Sequence, residues 1–138
     1  MLFKLFTSLA VSLVLMSGAA MARQSVPVVN FENVAITSAS GKTPSAEAIT
    51  QAIKLASAAK GWTIVADAGS ALSATLVVRD KHTISVQIST AGDKYSIRYK
   101  ASVNMNAEER AGQMEIHPNY NKWVKDLNDA IRIEFLKL

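Results

Sequence analysis

Four β-patterned stretches follow one another between residues 62 and 103: "WTIVAD", "SATLVVRD", "HTISVQIST" and "KYSIRYKASV". Only short turns separate them, at Ala68-Gly69-Ser70, Asp80-Lys81 and Ala91-Gly92-Asp93. Parallel neighbours need crossover connections of a dozen or more residues, so these turns restrict the segment to an antiparallel meander. Alternation is clearest in the last two stretches, where Ile84, Val86 and Ile88 share a face with Tyr95, Ile97, Tyr99 and Ala101. That period of two marks a sheet with one apolar and one polar side.

Helical patterns flank the meander. Thr43 followed by Pro44 starts the first, because proline at the first helical position lacks only an N–H that has no helical partner. Ile49, Ala52, Ile53, Ala56 and Ala59 then recur at helical spacing, and Gly61 ends the run. In "IHPNYNKWVKDL", residues 116 to 127, His117 stands before Pro118 in the extended geometry that an N-cap needs. Tyr120, Trp123, Val124, Leu127 and Ile131 form the apolar stripe of a second helix, with Lys122, Lys125, Asp126, Asp129 and Arg132 on its solvent side. "VPVVNFENVAITS" predicts an irregular or edge strand around Asn33 to Thr37, pairing either within the domain or with a partner, and "NMNAEERAGQ" reads as a polar loop. The fold predicted is α+β, of order β-α-β-β-β-β-α: an antiparallel meander sheet of four to five strands with two helices packed on one face.

The opening residues point to export. Lys4 supplies a positive start, Leu5 to Ala20 an uncharged apolar run, and Ala20-Met21-Ala22 a small-x-small cleavage signal. An uncleaved anchor is the alternative, but the run falls short of the roughly 20 apolar residues that span a bilayer. Cleavage of residues 1–22 leaves a single domain over residues 23–138, with a net charge of +3 once Lys4 is removed from the 15 basic and 11 acidic residues. There is no cysteine, which excludes a lipidated N-terminal cysteine, a disulfide framework and any thiolate ligand or nucleophile.

Two groups of residues are candidates for chemistry. With Tyr95, Ile97 and Tyr99 inward, the opposite sheet face carries Arg79, Lys94, Arg98 and Lys100 beside Ser85 and Gln87, a cationic surface without a carboxylate. Such a face suits the phosphate or carboxylate groups of an envelope polymer, or a partner protein, although any half-buried antiparallel sheet shows the same polar alternation. The second group centres on His117, a general acid/base candidate by residue type. No G-x-S-x-G turn or convergent nucleophile accompanies it, so no catalytic residue is assigned, and a small hydrolase or transferase centred on His117 is the alternative reading. His82 and His117 stand 35 residues apart without H-x-x-x-H or H-E-x-x-H spacing, so no metal is expected, and no cofactor either. The helix–strands–helix order is shared with double-stranded RNA-binding modules, but export and the lack of a lysine cluster at the last helix start argue against nucleic acid.

The stretches "YSIRYKAS" and "IHPNYNKWVKDL" together resemble a set of small exported proteins and predicted lipoproteins of Gram-negative bacteria. These carry Y-S-I-x-Y-x-x-S followed, after a variable loop, by I-H-x-x-Y-N-x-W. The matching positions are Tyr95, Ser96, Ile97, Tyr99, Ser102, Ile116, His117, Tyr120, Asn121 and Trp123. The missing cysteine departs from the lipoprotein pattern and favours a free periplasmic form. The resemblance implies no reaction. It sharpens one expectation, a hydrogen-bonded cluster of Ser102, His117, Tyr120 and Asn121, with Trp123 beside it, where the last long strand feeds the final helix. A soluble periplasmic, non-catalytic binding or accessory protein of the cell envelope is therefore expected, with a structural or stress-related partner of another envelope protein as a third possibility.

Overall fold

A computed structural model describes residues 24–138, so the segment expected to be an export signal, residues 1–22, lies outside the described residues. The elements run β1 (Val26–Pro27), β2 (Phe31–Ala35), α1 (Ala46–Ala59), β3 (Thr63–Ala66), β4 (Leu72–Val78), β5 (His82–Ala91), β6 (Lys94–Val103), β7 (Glu108–Arg110), β8 (Gln113–Ile116) and α2 (Asn119–Leu136). Strands β3 to β6 form the meander expected from their turns, every pair antiparallel. At the β4–β5 corner Arg79 and Asp80 both adopt left-handed backbone (φ 55° and 52°), and Lys81 N–H bonds to the Val78 carbonyl at 3.2 Å. This is the mirror-image turn whose twist matches that of a hairpin. Strand β2 adds to the far side of β6, giving a five-stranded antiparallel sheet in the order β2-β6-β5-β4-β3.

The polar loop expected before the last helix contains a hairpin instead. Strands β7 and β8 pair through Ala111-Gly112 and, with β1, make a separate three-stranded sheet in the order β1-β8-β7. Its inward residue Ile116 pairs with Val26 and is fully buried. Both pieces of the N-terminal extended segment therefore pair inside the domain. The larger one sits two residues earlier than expected, at Phe31–Ala35.

The first helix also starts later than Pro44. Ser45 is the N-cap, its Oγ accepting the Ala48 N–H at 3.2 Å, because a hydroxyl satisfies a helix-end donor that proline cannot reach. At the other end Gly61 takes φ +80°, which lets the Trp62 N–H return to the Ser57 carbonyl at 2.9 Å.

One hydrophobic core lies between the sheet and the helices. The sheet supplies Ala74, Ile84, Val86, Ile88, Tyr95 and Ile97; α1 supplies Ile49, Ala52, Ile53 and Ala56; α2 supplies Tyr120, Val124, Leu127, Ile131 and Phe135. Alternation fails where β5 meets β6. Ser85 pairs with Ala101 but Val86 pairs with Tyr99, so Lys100 is an extra residue in β6. That bulge shifts the period by one position. Ala101, expected inward, is exposed, and Ser102 pairs with the buried Ile84 and bonds to the Tyr99 hydroxyl at 2.9 Å.

Two core tyrosines are buried as neutral phenols. Burial pushes the Tyr95 hydroxyl up to about 12 and that of Tyr120 higher still. Both hold their protons more tightly folded than unfolded. Their contribution to stability is therefore complete below the unfolded phenol value of about 10 and is lost as pH rises through the folded values. Unfolding midpoints are expected to stay level up to about pH 10 and fall beyond it. Tyr95→Phe/Tyr120→Phe, compared at the same pH values by circular dichroism, should fall less steeply over that range.

Candidate functional site

The outer face of the five-stranded sheet is built in rows set by strand register. Thr75 faces Ser85, with their hydroxyls 2.8 Å apart, and Ser73 faces Gln87, which faces Arg98. The cationic, carboxylate-free surface expected here is corrected by two residues from the flanking strand β2 and the β3–β4 turn. Arg98 grips Glu32 of β2 with Nε and Nη2, at 2.9 and 2.6 Å. Lys100 binds Asp67 at 2.8 Å and Ser73 Oγ at 3.2 Å. The hydrogen bonds from Arg98 hold the Glu32 carboxyl below its ordinary value, and those from Lys100 and the Ala68 N–H do the same for Asp67, with Gln87 also contributing. Lys94 opens β6 at the sheet end, exposed and opposite Ala35 and Ala91. The face is thus an array of hydroxyls and internally paired charges.

Arg79 is not on that face. The left-handed turn after Val78 carries it to the end of the sheet, where it lines a cleft of about 410 Å³ with His82, Met105, His117, Asn119 and Trp123. The chain's two histidines, distant in sequence, meet here. His82 begins β5 at the β4–β5 corner, and its Nδ1 lies 2.8 Å from the Asn104 carbonyl. A carbonyl only accepts, so His82 Nδ1 carries a proton. His117 is held to the neighbouring loop by its own N–H, 2.9 Å from the Met105 carbonyl, and its Nδ1 accepts the Asn119 N–H at 3.1 Å. In the neutral ring the His117 proton therefore sits on Nε2. Each imidazole leaves Nε2 as its unengaged nitrogen, a donor on His117 and, in the neutral ring, an acceptor on His82.

The cluster expected around His117 is not one hydrogen-bonded network. Ser102 bonds to Tyr99. Tyr120 is fully buried and meets Tyr99 edge to face at 5.6 Å, and its hydroxyl has no partner among the described residues. Asn121 ties α2 to β1 and the residues after it, donating to the Pro27 carbonyl at 2.9 Å and accepting the Val29 N–H at 3.0 Å. Trp123 stands beside His82, ring centres 6.5 Å apart. The sequence spacing tied these residues to one place, but the side chains face different neighbours around the helix start.

Glu32, Asp67, His82 and Met105 are the site residues that sequence reasoning missed. Met105 carried a signal: it is a lone apolar residue between two asparagines, and both asparagines adopt left-handed backbone while its side chain is buried. The cleft lining contains no carboxylate, hydroxyl or thiol to serve as a nucleophile. Among the described residues no three metal-ligating side chains gather, and no helix is long and apolar enough to cross a membrane. No protein-family profile, curated protein or solved structure matches the chain.

Proposed function

We propose that this chain is an exported, periplasmic, non-catalytic binding or accessory protein of the cell envelope, and that the outer face of its five-stranded sheet is the contact surface. The observation that carries this reading is the fixed array on that face. Thr75 with Ser85, Arg98 with Glu32, and Lys100 with Asp67 and Ser73 are already held in place before any partner arrives. Side chains immobilised in advance lose less conformational entropy on binding. Because its charges are paired internally, the face suits a polar, hydroxyl-bearing envelope polymer or protein better than a polyanion. The export pattern of residues 1–22 and the resemblance to small exported proteins support the location.

Co-sedimentation of the processed chain with purified peptidoglycan and with outer-membrane fragments tests this, beside Arg98→Glu/Lys100→Glu as control. Both positions are exposed enough for the control to fold, which its circular dichroism checks. Retention of the wild type and loss of the control supports the face. Equal retention of both removes it. The second reading, a small hydrolase or transferase at His117, draws on the cleft and its pair of imidazoles, and it lacks a nucleophile in the lining.

A further inference from the structure

We propose that the cleft at the end of the sheet binds a small oxyanion, a phosphate or carboxylate group, through Arg79 and the Nε2–H of His117. The proposal concerns a different surface from the sheet face and stands without it. Four observations converge on it.

Charge is the first. Among the described arginines, Arg98 and Arg110 are bound to carboxylates while Arg79 and Arg132 are not, and Arg79 lines a concavity without an acidic residue. An unpaired guanidinium in a recess offers the planar fork that matches phosphate and carboxylate oxygens. Backbone is the second. Arg79 sits at φ 55°, in a turn position that asparagine or glycine fills more cheaply, and this geometry directs the chain end of β4 to the cleft.

The third is the tautomer pattern. Because His117 Nδ1 is taken by the Asn119 N–H, a proton donor is left at His117 Nε2 without any charge being required. The fourth is the helix that begins there. The 18-residue α2 has no acidic residue in its first turn, and the only side-chain acceptor its end meets among the described residues is the neutral His117 Nδ1, so the positive end of its dipole faces the cleft without a counter-charge. Trp123 supplies a flat wall beside His82 for whatever carries the anionic group. The buried Met105 contributes to the lining and keeps part of it apolar.

Imidazole resonances give a direct reading, because the chain has two histidines and both line the cleft. Untagged protein would be titrated at constant pH and constant chloride-balanced ionic strength with inorganic phosphate and, separately, with acetate. Saturable shifts of both imidazoles by phosphate alone assign a phosphate ester as the ligand class; saturation by acetate assigns a carboxylate. Arg79→Asn tolerates the left-handed turn, so it should keep the wild-type thermal midpoint while binding the active anion roughly tenfold or more weakly. Arg79→Lys, which retains charge but not the planar fork, should fall between the two. Shifts that stay linear for both anions, or equal affinity in the wild type and both variants, would overturn the proposal.

Discussion

Replacing Phe135 by alanine is expected to lower the free energy of unfolding by about 3–5 kcal/mol, the range for truncating a buried aromatic side chain. Phe135 lies in the last turn of α2 yet is only 1 % exposed, and its ring meets Tyr95 edge to face with centres 5.3 Å apart. The loss combines the transfer of the ring to water with a void that Tyr95 and Ile131 fill only in part. Its neighbour Leu136 is about half exposed, and Leu136→Ala should change stability by no more than about 0.5 kcal/mol. Urea unfolding of the two variants side by side measures the contrast. A cost below about 1 kcal/mol for Phe135→Ala would mean that the last helical turn frays and that the core closes without it.

The contrast between Phe135 and Leu136 follows from helical periodicity, and so does most of what was legible in advance. The β3–β6 meander was readable because each of its turns is too short for anything but an antiparallel return, and because Ile84, Val86, Ile88, Tyr95 and Ile97 keep strict alternation. The stripe from Tyr120 to Ile131 was readable for the same reason with a period near 3.6. Strands β7 and β8 were not. Glu108, Glu109 and Arg110 are exposed throughout, so no alternation marks β7, and β8 owes its partner β1 to a contact about 90 residues away in the chain.

The extra residue at Lys100 was equally invisible. A bulge changes which face every later residue takes without leaving a trace in local composition, which is why Ser102 and Ala101 exchanged places. The charge of the outer face failed through sequence distance. Glu32 lies 66 positions from Arg98 and Asp67 lies 33 from Lys100, so counting only the strands that carried the cations missed their counter-ions. The cleft has the same origin. Arg79 and His82 flank one hairpin turn, and the loop after β6 folds back beside them, with Asn104 bonding to both the Lys81 carbonyl and the His82 ring.

A double-mutant cycle at Tyr95 and Asn128 should show strong coupling. The Tyr95 hydroxyl donates to Asn128 Oδ1 at 2.5 Å, and both residues are at least 95 % buried. Tyr95→Phe leaves the amide oxygen without its donor, and Asn128→Leu leaves the phenol without an acceptor. Each single change is expected to cost about 1–3 kcal/mol, the penalty for stranding a buried polar group. Removing both at once strands neither, so the double variant should be less damaged than the two costs added, by about 1–2 kcal/mol. Additive costs, read from chemical denaturation, would show that the two groups are satisfied independently. The coupling bears on how α2 finds its place on the sheet. Its apolar stripe repeats every three or four residues, and a displacement by one turn would still bury leucine and isoleucine against the sheet. It would also bury Tyr95 OH and Asn128 apart from each other, so this polar contact penalises a displaced packing that the apolar stripe alone would tolerate.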